Sequence, residues 1–209
     1  MYNTVNQIGK KMSREHWNEK FRIEEYVFGK TPNEYFKRII DKLKPGRILL
    51  PAEGEGRNAV YAAVKGWEVD AFDVSDVGKA KALKLAKENG VEINFKLMGF
   101  GEFDCDDEIY DCIGLINAHA IENNRRGNHR KLIDKMKRGG SLILQGFTKE
   151  QAYNNSGGPK NVEMLFSREE LEEDFKDMSK LNIEELLTEL NDGIFHVGQA
   201  NIIRIEGVK

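Results

Sequence analysis

The chain of 209 residues has only 2 cysteines and 4 prolines. Cys105 and Cys112 cannot build a disulfide framework and lack metal-ligand spacing, which implies two reduced thiols and no metal centre. No run of about 18 uncharged apolar residues exists, so no membrane-spanning helix is expected. Met1 to Trp17 has no apolar h-region, which predicts no signal peptide and a cytoplasmic protein. An excess of one charge is also lacking: 32 Lys and Arg face 35 Asp and Glu, a net charge of −3. That balance disfavours a broad electrostatic grip on a nucleic-acid backbone. Internal repeats and low-complexity tracts are missing too.

What is present is an alternation of short apolar runs with longer amphipathic ones. Ile48 to Leu50, Trp67 to Phe72, Glu92 to Leu97, Ile113 to Ile116 and Ser141 to Gly146 read as strands. Asn58 to Lys65, Asp76 to Asn89 (with Ala80, Leu83 and Ala86 on one side) and Glu122 to Lys137 read as the helices between them. Strands separated by such helices predict right-handed βαβ units and a mostly parallel sheet. Ser167 to Glu170 forms a capping box, and Ile183 to Leu190 and Ile194 to Ile205 read as an antiparallel pair turning at Asn191-Asp192-Gly193. A helix from Thr31-Pro32, with Thr as cap, to Leu43 precedes the first strand. The expected fold is therefore an α/β, Rossmann-like seven-stranded sheet with helices on both faces. It reads as one domain over 1–209: an N-terminal arm (1–45), a ligand-binding core (46–150), and a substrate loop with C-terminal strands (151–209).

Gly54-Glu55-Gly56 lies where the first strand becomes a helix, and Ala59 completes G-x-G-x-x-A. Asp73 closes the second strand 73 − 54 = 19 residues later, the spacing of an acid that takes ribose hydroxyls. Dinucleotides and S-adenosylmethionine share this geometry. Glu53 and Glu55 flank the first glycine, where a dinucleotide would place its pyrophosphate. A carboxylate about 5 Å from a phosphate charge costs on the order of 3 kcal/mol at an effective dielectric of about 20. On that reasoning the acids favour a sulfonium ligand. An NAD(P)-dependent oxidoreductase and a non-catalytic S-adenosylmethionine-binding protein are the alternatives.

The stretch Ile48 to Tyr61 resembles motif I of the class I S-adenosylmethionine-dependent methyltransferases, closest to the tellurite-resistance and thiopurine methyltransferase-like group. Trp67 to Ser75 is similar to its second motif, and Trp17, Tyr26, Gly29 and Pro32-Asn33 are similar to the arm that closes over the cofactor. Gly157-Gly158-Pro159 and His196-Val197-Gly198 extend the resemblance over nearly the whole chain. It implies that Glu53, Gly54, Gly56 and Asn58 surround the methionine end of S-adenosylmethionine, Asp73 and Val74 the ribose, and Phe100 and Gly101 the adenine. It further implies that Trp17 and Tyr26 form the lid and that the product is S-adenosylhomocysteine; Asn117, at the end of the fourth strand, is expected to contact the cofactor or the acceptor. The family's acid at the end of the first strand aligns with Leu50 and its first loop glycine with Ala52. Either Glu53 then supplies the carboxylate or backbone groups hold the ligand's ammonium alone.

Methyl transfer is an in-line displacement that needs alignment first, and a proton acceptor only for a protonated nucleophile. Three catalytic candidates emerge. His119 and Asn117 lie at the carboxyl end of the fourth strand, and His196 opens the last strand; ordinary capping or strand-end histidines are the competing reading. Tyr153, in the loop after the fifth strand, and Arg57, at the helix start, are candidate substrate- and carboxylate-binding residues. His16 and His129 read as solvated. Arg125, Arg126, Arg130, Lys131, Lys135, Lys137 and Arg138 make a basic helix, read as a solvated face because the chain is acidic overall. Asn117-Ala118-His119-Ala120 stands where base-amino methyltransferases carry an Asn/Asp-Pro-Pro-aromatic clamp. A small-molecule acceptor, and no nucleic acid, is expected; the oligomeric state is not legible.

Overall fold

The computed structural model describes residues 14–120 and 122–209; residues 1–13 of the expected arm lie outside them. The described chain opens in a helix, α1 (14–21), followed by α2 (Glu34–Ile40), β1 (Arg47–Pro51), α3 (Arg57–Val64), β2 (Glu68–Asp73) and α4 (Asp76–Glu88). Then come β3 (Asn94–Leu97), a 3-10 turn (Phe100–Glu102), β4 (Tyr110–Ile116), α5 (Glu122–Lys135) and β5 (Met136–Phe147). The chain ends with α6 (Arg168–Asp174), β6 (Lys180–Asp192) and β7 (His196–Val208). All seven strands form one sheet in the order β3-β2-β1-β4-β5-β7-β6. Strands β3 to β5 pair in parallel, whereas β7 runs antiparallel to both β5 and β6.

The period-two alternation of β1 divides the core. Ile48 and Leu50 face one side with Phe36 and Ile40 of α2, Ala59 and Ala62 of α3, and Ala82 of α4. Leu49 faces the other side with Leu132 of α5 and Leu171 of α6. Each layer thus covers one face of the sheet and leaves the carboxyl ends of the strands as the edge where a ligand can sit.

Four local expectations are corrected. The cap of α2 is Asn33, whose side chain accepts from the Phe36 amide, so Thr31-Pro32 lies before the helix. On α4 the buried face is Gly78, Ala82, Leu85 and Ala86, while Leu83 is 42% exposed. Small residues face α3, and the larger Leu83 is excluded from that close packing. Helix α5 ends at Lys135, because Met136 already pairs with Tyr110 as the start of β5. The basic helix is not simply a solvated face: Arg125, Lys135 and His129 are all buried. Asp174 of α6 accepts from Arg125 Nε at 2.8 Å and contacts His129 Nδ1 at 2.9 Å. Sequence reading missed this because Asp174 is 45 residues from His129.

Candidate cofactor site

Strand β1 gives way to a turn of left-handed residues: Ala52 (φ 53°), Gly54 (φ 59°) and Gly56 (φ 85°). A side chain at Gly56 would place its Cβ 2.5 Å from the Cβ of Ala82, so this glycine lets α3 and α4 touch. Ala52 carries the left-handed strain with a Cβ in place.

Two buried carboxylates hold the turn from inside. Glu53 Oε1 accepts from the amides of Asn58 and Ala59, both at 2.8 Å, and so satisfies the orphan donors that open α3. Burial, opposed by those hydrogen bonds, pushes its carboxyl up to about 7. Asp73 Oδ2 accepts from the Gly54 amide at 3.0 Å and Oδ1 from the Ser75 amide at 2.8 Å. Its pKa is raised by burial despite those bonds. Asn58 Oδ1 accepts from the Asn33 amide, joining the turn to α2. Glu55 accepts from the Val27 amide at 2.7 Å and from Lys81 Nζ at 2.8 Å. Glu53 and Glu55 are therefore both committed inward, and the charge argument that chose a sulfonium over a pyrophosphate does not rest on side chains facing a ligand.

The arm covers this edge. Arg14 Nε donates to the Val74 carbonyl at 2.9 Å, and Asn18 bonds Ser75 and Asp76. The Phe21 ring lies over the turn, such that a Cβ at Gly54 or Gly78 would sit 3.1 Å from it. Trp17 stacks on Phe21 at 5.3 Å, and the Tyr26 hydroxyl donates to the Lys81 carbonyl at 3.0 Å. The two expected lid residues are thus brought to the arm, Trp17 backing Phe21 and Tyr26 lying on α4. Arg57 is engaged within the protein: it donates to the Phe28 carbonyl at 2.8 Å and pairs with Asp192 at 3.0 Å. The Ile194 amide donates to the Val27 carbonyl at 3.0 Å, so the β6–β7 turn is fastened to the arm as well.

Beyond the turn, Phe100 packs edge-on against Phe72 at 5.5 Å, and nothing lies within 4 Å of where a Gly101 Cβ would stand. Asn117 ends β4 in the left-handed region (φ 54°) and donates its amide to the Gln145 carbonyl at 2.7 Å. Its Oδ1 is buried and has no partner among the described residues. His119 Nδ1 lies 2.7 Å from the Met164 carbonyl and its Nε2 3.2 Å from the Phe147 amide. A carbonyl only accepts and an amide only donates, so the ring is the neutral Nδ1–H tautomer with both nitrogens used. Burial pushes its pKa down to about 4. His196 is buried 4.6 Å from the Phe28 ring, its Nδ1 without a partner among the described residues, and burial pushes it down to about 3. Tyr153 is 91% exposed.

Sequence reading missed Asn18 and Lys81, whose signal is only their place in the arm and on a helix face; Phe21 stands out there as one of the arm's aromatics, but not as the ring over the turn. Ser75 carried a signal: a serine before an acidic first helical turn is an N-cap, and its Oγ accepts from the Gly78 amide.

The residues fit an adenosyl ligand. The buried, donorless Asn117 Oδ1, the Asp73 carboxylate and the open Gly101 line one strand edge and suit a group rich in hydroxyl and amine donors. Among the described residues no group of three His, Cys, Asp or Glu side chains could hold a metal ion, and no helix is long and apolar enough to cross a membrane.

The family model described as tellurite resistance protein TehB matches residues 15–205. Among solved structures, the chain is similar to TehB from Haemophilus influenzae, with a TM-score of 0.71, 16% identity, and coverage of 94% of this chain and 67% of that one. A protein described for conversion of a disulfide bond into a thioacetal group during echinomycin biosynthesis gives a TM-score of 0.74 at 13% identity, covering 96% and 91%. Phosphoethanolamine N-methyltransferase 2 of Haemonchus contortus, solved with S-adenosylhomocysteine, gives 0.69 at 15% identity, covering 92% of this chain and 60% of that one. At such identities these likenesses speak for the fold. Among curated proteins none matches the chain significantly.

Proposed function

The chain belongs to the tellurite-resistance TehB family, within the class I S-adenosylmethionine-dependent methyltransferases, and from that premise we propose that it methylates a small-molecule acceptor by in-line transfer. The observation that carries the site assignment is the turn itself: left-handed Gly54 and Gly56 with Asp73 bonded to the Gly54 amide at 3.0 Å. When bound, S-adenosylmethionine supplies an electrophilic methyl group on a sulfonium.

The chain's own residues do the rest. The left-handed Gly54–Gly56 backbone borders the ligand's methionine end, its missing side chains leaving room for Phe21 and α4, with Glu53 and Asn58 holding it in place. The Asp73 carboxylate keeps unused lone pairs for the ribose hydroxyls. Val74 flanks it, Phe100 and Gly101 border the adenine, and Asn117 Oδ1 accepts a ligand donor. Phe21, Trp17 and Tyr26 exclude water, which would compete with the acceptor. His119, with both nitrogens engaged, positions the Phe147 and Met164 segments rather than carrying a proton. His196 faces the arm with an Nδ1 that has no partner among the described residues, and it is the residue assigned to the acceptor.

A small acceptor is supported by the basic run from Arg125 into the start of β5, most of whose charges are already answered. Arg126 and Arg130 reach Glu173, Lys137 pairs with Asp111, and Lys131 and Lys135 donate to the Phe103 and Cys105 carbonyls. Little positive charge is left for a phosphate backbone. We take residues 1–209 as one catalytic unit and the cytoplasm as its place.

Titration calorimetry with S-adenosylhomocysteine tests the reading on wild type and Asp73→Ala. Wild type should bind, and Asp73→Ala should lose about 2–3 kcal/mol for a charged acceptor of two hydrogen bonds. No binding by wild type, or NAD(P) bound more tightly, would sink the proposal; unchanged binding by the variant would remove Asp73 from the ribose.

A further inference from the structure

Lys20 is the lysine of α1, and its ammonium lies among aromatic rings. Its Nζ lies 4.9 Å from the Trp17 ring centroid, 5.1 Å from Phe28 and 4.9 Å from Phe195. Among the described residues no carboxylate or carbonyl receives a hydrogen bond from it, and burial alone lowers its pKa. An ammonium is strongly hydrated, so placing one against three apolar rings and no anion is unusual unless the rings are arranged for a cation.

The three rings come from separate segments. Trp17 is on α1, Phe28 follows the arm's turn, and Phe195 is in the β6–β7 turn. Each segment is anchored without Lys20: α1 by Arg14 and Asn18, residues 27 and 28 by Glu55 and Arg57, and the β6–β7 turn by the pairing of Asp192 with the same Arg57. The cage is thus built by the fold rather than by Lys20. His196 borders it, its ring 4.6 Å from Phe28, and brings the unpartnered Nδ1. Phe195 is 46% exposed, so the cage opens to solvent.

We propose that Trp17, Phe28 and Phe195 form a cation cage for the methyl acceptor, that Lys20 is its resident occupant, and that the acceptor is a small amine. The proposal rests on the methyl-transfer reading and names its substrate class. The electron-rich ring faces that hold an ammonium repel an anion, which argues against Lys20 as an oxyanion receptor. The acceptor enters as an ammonium and gives one proton to the solvent that the open cage meets; the nitrogen lone pair so freed forms the N–C bond as the C–S bond breaks and its pair returns to sulfur. The sulfonium becomes a neutral thioether, and the positive charge moves to the methylated nitrogen. The cage stabilises that developing charge, and His196 Nδ1 receives a remaining N–H. Lys20 withdraws as the acceptor enters.

The probe is tetramethylammonium, titrated against the full chain and followed by tryptophan fluorescence; Trp67 is buried, so Trp17 reports. Lys20→Met keeps the stem and vacates the charge, and should bind the probe about tenfold more tightly than wild type. Adding Phe195→Leu to that variant should abolish the gain. No gain in Lys20→Met, or a sulfate site lost with Lys20, overturns the proposal. The cofactor's sulfonium is the other cation of this chemistry. The affinity ratio of S-adenosylmethionine to neutral S-adenosylhomocysteine should be the same in Phe195→Leu as in wild type, and a fall in that ratio assigns the cage to the cofactor instead. A chain that binds neither adenosyl ligand sinks the methyl-transfer reading while the tetramethylammonium titration still decides the cage.

Discussion

Replacing Glu53 by glutamine should change how stability depends on pH more than it changes stability itself. The carboxyl sits near 7 in the fold against 4.5 for an ordinary glutamate, chiefly because it is buried. Below pH 4.5 the group is protonated in both states and costs nothing. As pH rises, the unfolded chain releases its proton first, so folding stability falls. The full loss, reached above the folded pKa, is about 3 kcal/mol. Between about pH 5.5 and 8 the share of that loss is about 2 kcal/mol. Glutamine retains an oxygen for the Asn58 and Ala59 amides and gives up only the weaker Asn58 Nδ2 bond at 3.4 Å. Its own cost is therefore a constant offset. Buried His119 and His196 act the other way: their depressed pKa values give stability above the usual imidazole range that is lost as pH falls toward 4. Wild type alone would show the sum, so the difference between the two proteins is the informative quantity. Urea unfolding at several pH values in that window should show Glu53→Gln gaining about 2 kcal/mol on wild type as pH rises. Two curves separated by a constant would mean that Glu53 titrates normally and is not held as described.

Ala52→Gly should stabilise the fold by about 0.5–1 kcal/mol, since relief of the left-handed strain at φ 53° exceeds the added chain entropy; a calorimetric melting temperature that falls would contradict this. Gly56→Ala should be strongly destabilising, because its Cβ would meet Ala82 at 2.5 Å, and a melting temperature within a degree or so of wild type would show that α3 and α4 are not so closely packed. Arg57→Met should speed amide exchange at Val27 and Ile194, because it severs the arm from the β6–β7 turn; weakened S-adenosylhomocysteine binding with unaltered exchange would instead return Arg57 to the ligand. Asp174→Asn should cost about 3 kcal/mol in urea unfolding by leaving the buried Arg125 with only Glu170, 3.5 Å away, as counter-charge, and a loss under 1 kcal/mol would count against the buried network.

Much of this protein follows from local pattern. The alternation of Ile48, Leu49 and Leu50, the Gly54–Gly56 turn, Asp73 at the next strand end and the Ser167–Glu170 capping box each act over a few residues, and each stands in the structure as its spacing implies. These features determine strands and helices, because backbone sterics and period are properties of the chain itself. What tertiary structure alone decided is the orientation of polar side chains. Glu53 and Glu55 read as acids facing a ligand and turn inward, one to open α3 and the other to hold Val27 and Lys81. Arg57 read as a candidate for a ligand carboxylate and joins Phe28 to Asp192, 135 residues away in sequence. His129 read as solvated and is buried on Asp174. The cage around Lys20 brings together residues as distant as Trp17 and Phe195. A buried charge takes whichever partner the fold delivers, and sequence spacing carries no information about partners that far apart.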